Sequence, residues 1–155
     1  MRRGDRELTR REDLAAVLRE CKVCRLGLWD GKEVYIVPMN FGYAWEGEAL
    51  TLYFHCAGEG RKLEILARRR SVSFEMDCGH RLVEGAQACQ YAYSFSSLMG
   101  TGKVALVTDP AEKARGLTLL MEHQAGKTFP FGLRETDAVT VVKLTVETLS
   151  GKRHE

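Results

Sequence analysis

Tyr53-Phe54-His55-Cys56-Ala57-Gly58-Glu59-Gly60-Arg61-Lys62-Leu63 reads as an aromatic strand that passes through two glycines into a helix opened by adjacent cations. A helix N-terminus presents backbone N–H groups without intrahelical partners and carries a partial positive charge. Glycines let an anion approach the backbone closely, and Arg61 and Lys62 add two full charges. The segment is therefore a candidate phosphate seat, and a phosphorylated cofactor is the ligand class it suggests. The same residues also suit a plain solvated loop ahead of a helix, so the flanking sequence decides between the two.

Upstream, Leu50-Thr51-Leu52 extends the strand, and a turn is expected around Glu46-Gly47-Glu48. Before it, Val34-Tyr35-Ile36-Val37 and Phe41-Gly42-Tyr43 are rich in β-formers. Cys24, Leu26 and Leu28 alternate with Arg25 and Gly27 and run into an Asp30-Gly31 turn. These segments predict a hairpin continued as a three-strand meander. Thr9-Arg10-Arg11-Glu12 has the form of a capping box, and Leu14, Val17, Leu18 and Cys21 follow at helical spacing, which predicts a first helix over about 10–21. Downstream, the helix opened by Arg61 and Lys62 is expected over about 59–69 with Leu63 and Leu66 buried, followed by a strand at 72–76. Residues 82–108 are β-prone, with an interruption expected at Leu98-Met99-Gly100-Thr101-Gly102, where glycines suggest a bulge or close approach to a ligand or partner. Asp109-Pro110 starts a third helix over about 110–124, and the last strand is expected at 138–146. This order lacks the regular alternation of a doubly wound sheet, and a small antiparallel barrel with helices packed outside fits it better.

The chain has 155 residues, 45% of them hydrophobic, which suits one domain over residues 1–155 with an ordinary core. Its formal net charge is only +2, so nothing global points to nucleic acid. Arg68-Arg69-Arg70 falls where the second helix should end, and cations there complement the helix dipole. No run reaches the length of a membrane span and the charged N-terminus has no signal-peptide core, so a soluble cytoplasmic protein acting on a small molecule is expected. Five cysteines fit a reducing compartment, with Cys21 and Cys24 as small buried hydrophobes. Gly126-Lys127-Thr128 is not a P-loop, because Met121 stands where that motif needs its first glycine. Cys56 beside His55 is not a nucleophile–base pair, since strand neighbours point to opposite faces.

Taken together, Val34-Tyr35-Ile36-Val37-Pro38-Met39-Asn40-Phe41-Gly42-Tyr43 and Leu52-Tyr53-Phe54-His55-Cys56-Ala57-x-x-Gly60-x-Lys62 resemble the FMN-binding split-barrel proteins related to pyridoxamine 5′-phosphate oxidase, and among them the 5-nitroimidazole-resistance branch. The resemblance begins at Met1-Arg2-Arg3 and Cys24-Arg25-Leu26 and continues to Gly100-x-Gly102-Lys103-Val104, Met121-x-His123 and Ser150-Gly151-Lys152. It implies a mainly β fold with α, a six-stranded antiparallel Greek-key-type split barrel with about three flanking helices. It also implies a homodimer with FMN in clefts at the subunit interface. Carried over residue by residue, Val37, Pro38, Met39 and Asn40 would lie along the flavin. Phe54, His55 and Cys56 would follow the ribityl chain toward a phosphate gripped by Arg61 and Lys62, and Ser96, Ser97, Leu98 and Met99 would come from the second subunit.

The implied activity is an FMN-dependent reductase that passes electrons from NAD(P)H or another donor to a small nitroaromatic such as a 5-nitroimidazole. His55 is the residue expected to handle a proton or touch substrate, its alternative being a hydrogen bond to the cofactor. The competing readings are a non-catalytic flavin-binding protein, a split barrel using haem or deazaflavin, and a zinc module built on Cys21, Cys24, Cys78 and His80. The chain departs from the oxidases in offering Tyr35, Val37 and Met39 where they place basic residues, and its only basic end is Gly151-Lys152-Arg153-His154-Glu155.

Overall fold

The computed structural model describes residues 4–155, so the Met1-Arg2-Arg3 part of the resemblance lies outside the described residues. After a single turn of 3-10 helix at Gly4–Arg6, the elements are β1 (Glu7–Leu8), α1 (Arg11–Glu20), β2 (Val23–Trp29), β3 (Val34–Asn40), β4 (Gly42–Glu46) and β5 (Ala49–Cys56). They continue as α2 (Arg61–Arg68), β6 (Ser71–Val83), β7 (Ala92–Val107), α3 (Pro110–Ala125), α4 (Leu133–Asp137) and β8 (Thr140–His154), with a second 3-10 turn at Ala88–Gln90. The strands form one antiparallel sheet in the order β3-β2-β6-β7-β8-β5-β4, with β1 added along β8.

Strand alternation explains which face each residue takes. On β5, Leu50, Leu52, Phe54 and Cys56 enter the barrel interior, while Tyr53 joins Val107, Leu117 and Val141 under α3 on the outside. Covered on both faces, β5 therefore reads as a near-continuous apolar run. The interior is filled by side chains such as Phe41, Phe54, Leu26, Met76, Leu98 and Leu144, and each contributes roughly 1.5–3 kcal/mol by leaving water. Two glycines bring α3 onto the sheet. A Cβ on Gly42 would stand 2.2 Å from the Leu120 nitrogen, and one on Gly116 would stand 2.8 Å from the Tyr53 ring.

Among the described residues the sheet has eight strands rather than the expected six: the two-residue β1 was not foreseen, whereas β4 takes up the expected Phe41-Gly42-Tyr43 segment. The meander is also replaced by two hairpins, β2–β3 and β4–β5, at opposite ends of the sheet order. Phe41, fully buried, turns the chain inward between them, and Pro38 belongs on an edge strand because it has no N–H to donate. The interruption at 98–102 does not occur: β7 runs unbroken for 16 residues, and the bulge lies across from it, where β8 carries the extra Glu147. The glycines there serve the chain itself, since a Cβ on Gly100 would meet Thr148 O at 2.3 Å and the Phe74 ring at 2.6 Å. The capping box at Thr9 is not formed either; Arg10 is the N-cap of α1 and no side chain caps it. Among the described residues no helix is long and apolar enough to cross a membrane.

Candidate functional site

Two stretches of strand edge on either side of the opening between β3 and β5 have no partner strand among the described residues. Among the described residues β3 pairs only with β2, so its other edge has no partner strand there. β4 covers β5 only as far as Tyr53, so Phe54, His55 and Cys56 pair with β8 on one side and with no strand on the other. β3 approaches β5 across this split, and Met39, Phe54 and Cys56 share one core cluster. Both edges carry main-chain donors and acceptors outside the ladder, and such groups require a partner, whether water or ligand.

The end of β5 leads through Gly58 and Gly60 to α2. Gly60 is the N-cap, with φ +123° and no side-chain cap, and an added Cβ at either glycine would meet no atom within 4 Å. The first helical bonds run from the Leu63 and Glu64 N–H groups to Gly60 O, so those of Arg61 and Lys62 have no intrahelical acceptor. Lys62 is half-buried and has no hydrogen bond or ion pair among the described residues. Its charge opposes the upward push of burial on the Cys56 thiol.

Arg61 behaves differently. Its Nη2 donates to Asp30 Oδ2 at 3.0 Å and to Glu33 Oε1 at 2.5 Å, and its guanidinium lies 4.7 Å over the Tyr35 ring. The Glu33 and Lys32 N–H groups, followed by Arg61, hold the Asp30 carboxyl down to about 2.

Of the flavin residues expected from sequence, the structure brings Val37–Asn40, Phe54–Cys56 and the start of α2 to one split. Val37 and Met39 point to the core while Pro38 and Asn40 face outward; Asn40 Nδ2 donates to Lys22 O at 3.1 Å and Gln124 Oε1 at 3.2 Å. His55 is exposed, on the same face of β5 as Tyr53, and has no hydrogen bond among the described residues. Ser96–Met99 do not join this group within one chain, because β2 and β6 separate β7 from β3. Leu98 is fully buried and Ser96 Oγ accepts from Arg153 Nε at 3.1 Å, whereas Ser97 and Met99 turn to the outer face. The pair Cys21 and Cys24 is buried, His80 Nε2 contacts Asp77 at 2.7 Å, and no cluster of three metal-ligating side chains occurs among the described residues.

Sequence reasoning missed the outer face of the sheet. A groove of about 800 Å³ lies there, lined by Val34, Ile36, Met99 and Leu149 with Arg25 and Glu75. Arg25 Nη1 donates to Glu75 Oε2 at 3.0 Å and Asp77 Oδ1 at 2.5 Å. The alternation of Val34 and Ile36 with the core-facing Tyr35 and Val37 was a signal for it, since two apolar residues then had to face outward.

A family model described as pyridoxamine 5′-phosphate oxidase matches residues 10–153. A solved structure from Bacteroides thetaiotaomicron, described as a candidate 5-nitroimidazole antibiotic resistance protein, is 32% identical over 95% of this chain and 86% of its own, with a TM-score of 0.82. The flavocytochrome Anf3 from Azotobacter vinelandii is 21% identical, covering 100% of this chain and 72% of its own at a TM-score of 0.79. An FAD and haem binding protein from Mycobacterium smegmatis is 17% identical, covering 97% and 74% at 0.81. These last two establish likeness of fold alone. No curated protein matches the chain.

Proposed function

The chain belongs to the pyridoxamine 5′-phosphate oxidase family, and from that membership we propose that it binds a flavin nucleotide, FMN, and acts as a reductase of small nitroaromatic or related acceptors. The observation that carries this reading is the meeting of two free strand edges with the uncapped, glycine-opened start of α2. Main-chain groups along β3 and at Phe54–Cys56 suit the polar rim of a planar ring system, and the N–H groups of Arg61 and Lys62 with the Lys62 ammonium suit a phosphate. The fit is good: the seat has open room at Gly58 and Gly60, and its half-buried cation has no carboxylate partner among the described residues.

Bound flavin supplies the electron chemistry, with NAD(P)H or another donor as the source and the acceptor as the sink. The protein binds and orients it and limits the access of water. His55 is free to move a proton at the exposed end of β5. The apolar groove on the outer sheet face meets a second copy of the chain, which delivers Ser97 and Met99 to the same pocket.

Purified protein is saturated with FMN and passed through gel filtration. Retention of about one flavin per chain supports the reading, and it should fall more in Lys62→Ala than in Lys127→Ala, an exposed lysine. Failure to retain flavin sinks it. Rapid-mixing reduction by NADH and NADPH then separates a reductase from a protein that only holds flavin.

A further inference from the structure

We propose that Asp30 and Glu33 are specificity residues of the phosphate seat: by holding the Arg61 guanidinium on the β2–β3 turn, they compete with a flavin phosphate for that cation. The inference rests on the flavin reading above. Arg61 and Lys62 both open α2, yet of the two Lys62 alone lacks a partner among the described residues. Arg61 is held by two carboxylates, at 3.0 and 2.5 Å, and by the face of Tyr35.

The turn that presents those carboxylates is itself built. Asp30 Oδ1 accepts from the Lys32 and Glu33 N–H groups, both at 2.8 Å, and the Asp30 N–H donates to Glu33 O at 3.2 Å. Asp30 is thereby fixed with its second oxygen toward Arg61. Gly31, with φ +107°, supplies the left-handed backbone that the turn needs, and a Cβ there would stand 3.2 Å from Arg69 Nη2.

Geometry decides the consequence. Asp30 and Glu33 both take up the Arg61 guanidinium, while Lys32, Arg68 and Arg69 line the same hollow beside Asp30. A phosphate monoester, which carries roughly −1.5 to −2 at neutral pH, meets an unengaged Lys62 and the backbone dipoles at the helix start, whereas Arg61 is already held on the turn. Exposed ion pairs are individually weak, so a phosphate can draw Arg61 away from the turn, but it must displace two carboxylates to do so. Phosphate affinity is thus lowered rather than abolished, and the ring end of the flavin is untouched.

Titration of flavin-free protein with FMN and with riboflavin, which lacks the phosphate, tests this. The Asp30→Asn/Glu33→Gln variant keeps an acceptor oxygen for the turn and should bind FMN about three- to tenfold more tightly, with riboflavin unchanged within about twofold. Glu33→Gln alone, which leaves the Asp30 turn intact, should shift FMN in the same direction by less, and it stands in should the double variant unfold. Glu48→Gln removes an exposed carboxylate in the β4–β5 turn, at the other end of β5 from the seat, that pairs with no cation among the described residues, and it should leave FMN affinity unchanged within about twofold. Equal FMN affinity in wild type and variants, or the same gain from Glu48→Gln, overturns the competition while leaving flavin binding in place. Absence of binding to either flavin overturns the flavin reading and this inference with it.

Discussion

Gly42 lies where the backbone of α3 crosses β4, and a methyl group there would stand 2.2 Å from the Leu120 nitrogen and 2.4 Å from the Leu119 carbonyl carbon. Neither atom can move without shifting the helix. Gly42→Ala is therefore expected to cost about 2–4 kcal/mol, whereas Gly126→Ala, at the C-terminus of α3, meets only the left-handed strain of φ +64° in open space and should cost about 1 kcal/mol. Urea unfolding of the two variants checks the ordering; equal losses would mean that α3 does not rest on the β4 backbone. At this scale the sequence is informative about conformation and silent about neighbours. Gly47 and Gly31 announced turns, and both have positive φ. Gly100 and Gly102 also announced a close approach, but a glycine cannot name what approaches it, and the nearby atoms are the chain's own Phe74, Thr148 and Thr145. Lys62 and Arg61 are likewise equivalent in sequence; only the folded β2–β3 turn distinguishes the free cation from the paired one.

Among the elements, α3 shows how a helix readable from its ends can be held by contacts that are not. Asp109 caps it by accepting from the Glu112 N–H at 2.8 Å and Pro110 occupies its first turn, both local signals. The grip at its other end is long-range. His123 Nε2 donates to Cys21 O at 2.7 Å, its ring lies 4.7 Å from Phe41 and 5.1 Å from Tyr43, and Gln124 Nε2 donates to Phe41 O at 2.9 Å. Burial pushes the His123 imidazole below its ordinary pKa, the bond to Cys21 O opposes this, and the Lys22 charge adds to it. The unfolded chain therefore takes up this proton at a higher pH than the folded one, so the folded state loses stability as pH falls below the ordinary histidine value of about 6.5. His123→Gln, which keeps a donor for Cys21 O, should remove that component between about pH 7.5 and 5. Urea midpoints for both proteins across that range provide the check, and parallel slopes would discharge His123 from the role. Strand order was out of reach for the same reason as this grip: each hairpin is written in adjacent residues, but which hairpin reaches which edge depends on β6, β7 and β8, distant in sequence.

For the molecule as a whole, length and composition pointed to one domain and said nothing about its outer face, because a net charge of +2 averages over surfaces of opposite character. On the outer face Val34 is 61% exposed, Ile36 64% and Met99 53%, with Trp29 also exposed on β2 beside them. Apolar residues in this density around one groove mark an interaction surface, and a stable dimer needs about 800 Å² from each partner. The two-fold symmetry of such a dimer sets the test, because a single substitution then acts on both sides of the contact. In a dimer formed through this groove, Ile36→Lys would place two desolvated cations in the contact, yet within one chain it changes a side chain already mostly in water. Light scattering should show wild type as a dimer and the variant as a monomer at micromolar concentration, with the thermal midpoint of the fold nearly unchanged. If Ser97 and Met99 of the second copy complete the flavin pocket, the monomer should also lose most of its retained FMN, although every residue of β3, β5 and α2 that faces the split is still in place. A variant that stays dimeric, or a monomer that keeps its full flavin, would assign the groove to some other occupant and leave the cofactor to be held by one chain alone.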